Sequence, residues 1–130
     1  MRYLKQTVRF GIQYTAGTPE LVGFTDSDWA GSVDDCKSTL GFVYHFGSAP
    51  IAWSCKKQSA IALSSVEAEY RVVVLASQEV LWLRQLLMEF GFPQEHPTTL
   101  CCDNQSAIHI SRNPIKHQRT KHIEIHMHFI

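Results

Sequence analysis

The spacing of apolar positions changes several times along this chain, and each change marks an expected element. Residues 2–14 carry Tyr3, Leu4, Val8, Phe10, Ile12 and Tyr14 in a mixed pattern whose first turns read as helical. Thr15-Ala16-Gly17-Thr18-Pro19 then breaks it. The run Leu21-Val22-Gly23-Phe24-Thr25 predicts a first strand, and a polar, turn-rich stretch from Asp28 to Ser38 follows. Leu40, Phe42, Tyr44 and Phe46 alternate with Gly41, Val43 and His45, the period of a strand over 40–46. Gly47-Ser48-Ala49-Pro50 predicts a hairpin turn into a third strand over 51–54. Ala60-Ile61-Ala62-Leu63 fits either a fourth strand or the lead-in to a helix. That helix start is well marked, with Ser64 as N-cap and Glu67, at the third helical position, as its capping-box partner. Tyr70, Val73, Val74, Ser77, Leu81, Leu83 and Leu87 carry it to a stop at Gly91 and Pro93. A strand over 98–102, a helix capped by Asn104 and ended by Pro114, and a last helix or strand over 119–130 complete the chain. An early meander followed by strand–helix crossovers implies an α/β fold, a mixed sheet with helices packed on it.

Composition narrows the class. The 130 residues make one domain or slightly less, and 45% hydrophobic residues are enough for a core, which excludes a disordered chain. Twelve basic and twelve acidic residues cancel, which argues against nucleic-acid binding through a large basic field. An enzyme that holds nucleic acid through metals and a few local cations stays open. There is no stretch of transmembrane length and no secretory signal, so an intracellular protein without a membrane partner is expected. The four cysteines, Cys36, Cys55, Cys101 and Cys102, include no C-x-x-C and are expected to be reduced packing residues. Cys101 and Cys102, adjacent on a strand, point to opposite faces and make poor co-ligands for one metal.

The candidate chemistry lies in four acids, each at the end of a different expected element: Asp26, Glu69, Asp103 and Glu124. Clustered carboxylates repel one another unless cations neutralise them, and hard divalent cations with oxygen ligands, Mg²⁺ or Mn²⁺, are the natural partner. Two such ions about 4 Å apart cleave phosphodiesters. The capping box gives Glu67 a structural role and leaves Glu69 free. Each acid alone reads equally well as a solvated surface group; only all four together point to a metal site. Asp28 reads as a cap of the Trp29-Ala30-Gly31 turn, and Asp34 and Asp35 as turn residues. His117 and His122 are candidates for shuttling a proton to a leaving group, against the plainer reading of surface histidines. Lys56, Lys57, Lys116, Arg119 and Lys121 are candidate phosphate contacts, against ordinary solubility. Trp53 and Trp82 fit the core better than stacking on bases, and Trp29 is the aromatic nearest the acids. The cluster His122, Glu124, His126 and His128 shares one face of a strand and leaves a zinc-binding module as a minor alternative, without an H-E-x-x-H.

The segments Phe24-Thr25-Asp26-Ser27-Asp28-Trp29-Ala30-Gly31, Lys37-Ser38-Thr39, Trp53-Ser54-Cys55-Lys56-Lys57-Gln58, Leu63-Ser64-Ser65-Val66-Glu67-Ala68-Glu69-Tyr70, Cys102-Asp103-Asn104-Gln105-Ser106-Ala107 and Arg119-Thr120-Lys121-His122-Ile123-Glu124-Ile125 closely resemble, in order, the ribonuclease H domain of copia-type LTR retrotransposon Pol polyproteins. The resemblance implies a ribonuclease H-like fold with a mixed five-stranded sheet. It implies residues 1–20 as the tail of the preceding reverse-transcriptase region and 21–130 as the domain, cut short at Phe129-Ile130 where the family continues with charged residues. It implies hydrolysis of the RNA strand of RNA–DNA hybrids with two Mg²⁺ or Mn²⁺ ions per site, and the reverse-transcriptase region of the same polyprotein as partner. The family's active-site acids map onto Asp26, Glu69 and Asp103, with Glu124 as the fourth. Asp26 is then expected to bridge both ions. Cys36 stands where the family has a basic residue and Leu40 where it has a small or polar one, so a fold kept without catalysis is the alternative.

Overall fold

The computed structural model describes residues 2–31 and 34–112. A short helix α1 (Arg2–Gln6) is followed by strands β1 (Leu21–Asp28), β2 (Thr39–Phe46) and β3 (Ala49–Lys57), the long helix α2 (Ser65–Glu89), strand β4 (Thr99–Cys102) and helix α3 (Gln105–Arg112). Among the described residues the sheet has four strands in the order β3-β2-β1-β4. The first three form an antiparallel meander, and β4 joins β1 in parallel after the α2 crossover. The expected mixed sheet with helices is therefore present. The element expected over 119–130, which would bring the sheet to five strands, lies outside the described residues.

The bounds of β1 and β3 differ from the sequence reading, in both cases because pairing overrides local composition. β1 continues to Asp28 because Asp26, Ser27 and Asp28 pair with Gly41, Leu40 and Thr39. Asp26 is thus inside a strand and not at its end. β3 begins at Ala49 and reaches Lys57, so the hairpin shrinks to Gly47-Ser48, with Gly47 at φ 61° in the left-handed position that opens such a turn. Pro50 lies in an edge strand, where its missing N–H is tolerated, beside the register shift at Tyr44/His45. Residues 60–63 form no strand and lead into α2.

Both ends of α2 are built as the sequence signals. Ser64 Oγ accepts from Glu67 N at 3.1 Å, while the Glu67 carboxylate accepts from Leu63 N at 2.8 Å, one residue upstream of the usual capping-box partner. At the far end Gly91 has φ 84°, and Gly91 N and Phe92 N donate to Met88 O and Leu87 O, a Schellman closure. The core lies between α2 and the sheet: Leu21, Tyr44, Ala76, Val80, Leu83 and Leu87, with Phe42, Phe46, Ala52 and Leu100 against it. Tyr44 is fully buried and donates its hydroxyl to Ala76 O at 2.6 Å. Gly23 is required where Tyr44 and Leu100 close over β1, because a Cβ there would sit 2.5 Å from Leu100 Cδ2 and from Tyr44 Cε1. Arg84 holds the link into β4 by donating to Gln94 O, His96 O and Thr98 Oγ1.

Two expectations about burial fail. Trp53 and Trp82 are 66% and 56% exposed and not in the core. Trp53 stands on the open face of an edge strand, and Trp82 adjoins the core-facing Leu83 without sharing its stripe. The cysteines are all free thiols, as expected, but Cys36, Cys55 and Cys101 are exposed and pack against little; Cys102 alone is half-buried.

Candidate active site

Sequence-distant acids meet at the C-terminal ends of β1 and β4. Register pairs Thr25 with Cys102 in parallel, so Asp26 and Asp103 occupy the next level on neighbouring chains. Such strands run about 4.8 Å apart. Glu69 comes from the second turn of α2 and is 5% exposed. Its position is fixed from both sides: Ser27 N donates to Oε1 at 3.0 Å, and Cys102 Sγ lies 3.8 Å from Oε2 as a donor. Asp103 follows the last residue of β4 and precedes Asn104, whose Oδ1 caps α3 by accepting from Ala107 N at 3.0 Å. Both Asp26 and Asp103 are exposed.

Ligand atoms of Glu69, Cys102 and Asp103 lie within 4.8 Å of one another. Asp26 is outside that close set, though its charge reaches Glu69. Burial, and after it the charges of Asp103 and Asp26, raise the Glu69 carboxyl above the ordinary glutamate range, against the lowering effect of the Ser27 and Cys102 hydrogen bonds. Burial likewise pushes the Cys102 thiol up, with the charges of Glu69 and Asp103 adding to it. The two ion pairs found among the described residues, Lys57–Asp35 at 2.9 Å and Arg71–Glu67 at 2.7 Å, involve none of the three acids. Oxygen donors with uncompensated negative charge suit a hard divalent cation. By the same chemistry the Cys102 sulfur is a foreign member of the set.

The loop before α2 is pinned, which sets where Glu69 stands. Trp29 Nε1 donates to Ala62 O at 3.1 Å, Arg71 donates to Ala60 O, and Gln58 Nε2 donates to Ala68 O. The Asp28 carboxylate lies against Gly31, where a Cβ would fall 1.9 Å from Oδ2, so a side chain there would displace the carboxylate. Asp35 accepts from Lys37 N, in keeping with a turn role. Lys56 and Lys57 lie on β3, two strands from β1 but at the same end of the sheet, where Lys57 pairs with Thr39 and Thr39 with Asp28. Lys56 also borders a cleft between the sheet and α2 with Leu40, Val74, Leu75 and Gln78. Glu124, His117, His122, Lys116, Arg119 and Lys121 lie outside the described residues, as do His126 and His128. Sequence reasoning did not find Cys102 and Ser27 at the site. The signal was available: strand alternation that sends Cys101 outward turns Cys102 inward.

Comparison with known proteins shows what the whole chain is similar to. In an alignment of 131 positions that covers the whole chain, it is 44% identical to the retrovirus-related Pol polyproteins from transposons RE2 and RE1 of Arabidopsis thaliana. Over 130 residues it is 39% identical to that from transposon TNT 1-94 of Nicotiana tabacum. The chain is similar, end to end, to a segment of retrotransposon Pol polyproteins. It spans 9% to 10% of the length of these relatives. No family model matches the chain, and no solved structure matches it significantly.

Proposed function

We propose that this chain is a ribonuclease H-like domain of a copia-type Pol polyprotein that hydrolyses the RNA strand of RNA–DNA hybrids. The observation that carries this reading is the convergence of Glu69 and Asp103 at the end of β4, with the charge of Asp26 on the adjacent parallel strand β1 reaching Glu69. The Pol likeness across the whole chain supports it independently.

Asp26, Glu69, Asp103 and Glu124 would hold Mg²⁺ or Mn²⁺, two ions in all, which supply an activated water and stabilise the leaving oxygen. The chain's own contribution is placement. The Ser27 N–H fixes one Glu69 oxygen, and the Asn104 cap and the Arg84 clamp fix the two ends of the β4 segment that carries Asp103. Lys56 and Lys57 stand roughly 10 Å across the sheet from β1, where they fit phosphate contacts that position a duplex. The RNA strand would be distinguished by its 2′-hydroxyls across the wide minor groove of the hybrid.

A second reading, a fold kept without catalysis, is favoured by one observation: Asp26 stands outside the close ligand set. Cleavage of a hybrid labelled on the RNA strand separates the two, with wild type and Asp26→Asn compared in Mg²⁺, Mn²⁺ and EDTA. Metal-dependent cutting of RNA by wild type alone is expected. A wild-type protein with intact circular dichroism that cuts in neither metal contradicts the ribonuclease reading.

A further inference from the structure

The close ligand set is not an all-oxygen site. Glu69 and Asp103 offer carboxylate oxygens and Cys102 offers sulfur, all within 4.8 Å of one another. Mg²⁺ takes oxygen ligands, whereas sulfur selects softer ions, and mixed sulfur and oxygen sets suit Zn²⁺. Around tetrahedral Zn²⁺, neighbouring donor atoms stand roughly 3.5 Å apart, so the set needs to close by only about 1.3 Å. Asp103 is exposed and at a strand end, free to make that movement, while Glu69 is held in place by Ser27 N. The residue that holds Glu69 carries a further polar group. Ser27 Oγ is buried without a hydrogen-bond partner among the described residues, on the residue whose N–H holds Glu69. A buried hydroxyl of this kind is satisfied by a single bound water.

We propose that Glu69, Cys102 and Asp103 form a binding site for a thiophilic divalent cation of the Zn²⁺ class, which competes with the hard cation and shuts off hydrolysis. On binding, the Cys102 thiol releases one proton to solvent and its sulfur donates a lone pair to the metal. The inhibitory half rests on the ribonuclease reading; the binding half does not. Cys36, Cys55 and Cys101 are exposed and stand outside the set, so the site has a single thiol.

The test uses Cd²⁺ as the spectroscopic probe, on the full chain with Cys36, Cys55 and Cys101 replaced by serine. Titration in saturating Mg²⁺ is followed by the ultraviolet thiolate-to-cadmium band, which histidine ligation does not produce, and the fold of each variant is checked by circular dichroism. A saturable band at one equivalent is expected. Cys102→Ser removes it, and Glu69→Gln and Asp103→Asn each weaken Cd²⁺ binding by about tenfold or more. Absence of the band overturns the proposal, and so does a band whose affinity is unchanged in both carboxylate variants, since the thiol then binds alone. The two readings fail separately: the band without Mg²⁺-dependent cleavage upholds the site and sinks the ribonuclease, while cleavage without the band sinks the site and leaves the ribonuclease standing.

Discussion

Tyr44 and Trp53 are aromatic residues on neighbouring strands, yet one is fully buried and the other 66% exposed. Tyr44 lies on β2, inside the sheet, under α2 and against Leu21, Ala76 and Val80. Trp53 lies on β3, which among the described residues has a neighbour on one side only. The contrast extends to polar groups. Glu69, Thr25 and Gln58 are buried near the acid end of the sheet, while Phe24, Trp82 and Leu81 face outward. Where a side chain ends up depends on which strands α2 covers, and hydrophobicity alone does not say. The candidate site is built from the covered part: β1, β4 and the first turns of α2.

The sharpest way to break this comparison is to truncate both aromatics. Tyr44→Ala is expected to cost about 3–5 kcal/mol and Trp53→Ala less than about 0.5 kcal/mol in urea unfolding. Equal losses would show that β3 is as firmly packed as β2. Next comes Gly23→Ala, whose Cβ meets Leu100 and Tyr44 at 2.5 Å; overpacking of this kind costs about 1–3 kcal/mol. A neutral result would mean that β1 and β4 sit further apart than described. Ser64→Ala removes the acceptor for Glu67 N and is expected to cost about 1 kcal/mol.

The smallest effect is one of pH. Burial, then the charges of Asp103 and Asp26, raise the Glu69 carboxyl, so the folded chain binds that proton more tightly than the unfolded chain does. Stability should therefore fall as pH rises from the ordinary glutamate range through the raised value, and level off above it. With EDTA present, Glu69→Gln should flatten that fall in the Tm–pH profile. Superimposable profiles for the two proteins would count against the buried, uncompensated carboxylate.

Much of the fold was legible because local signals and tertiary structure agree. Ser64 with Glu67, Asn104, and Gly91 with Pro93 mark real helix ends, and the alternation through Leu40–Phe46 marks a real strand. Of the candidate site, Glu69 and Asp103 were legible as acids beside element boundaries, whereas Asp26 stands inside β1 and outside the close set. What could not be read depended on pairing. The register with β2 carries β1 through Asp26 to Asp28, and the parallel register with β4 sets Cys102 beside Glu69. Neither register is encoded in the residues of one strand. The exposure of Trp53 followed from β3 being the edge, which only the strand order settles.

The central claim, that these acids form a hard-cation site, is tested most directly by Mg²⁺-dependent thermal stability at neutral pH. A cation that binds only the folded chain raises Tm with concentration. The account predicts that Mg²⁺ raises the Tm of wild type and of Asp35→Asn, whose carboxylate pairs with Lys57, and that the rise is lost in Glu69→Gln and Asp103→Asn. A wild-type Tm indifferent to Mg²⁺, or the same rise in all four proteins, would contradict it.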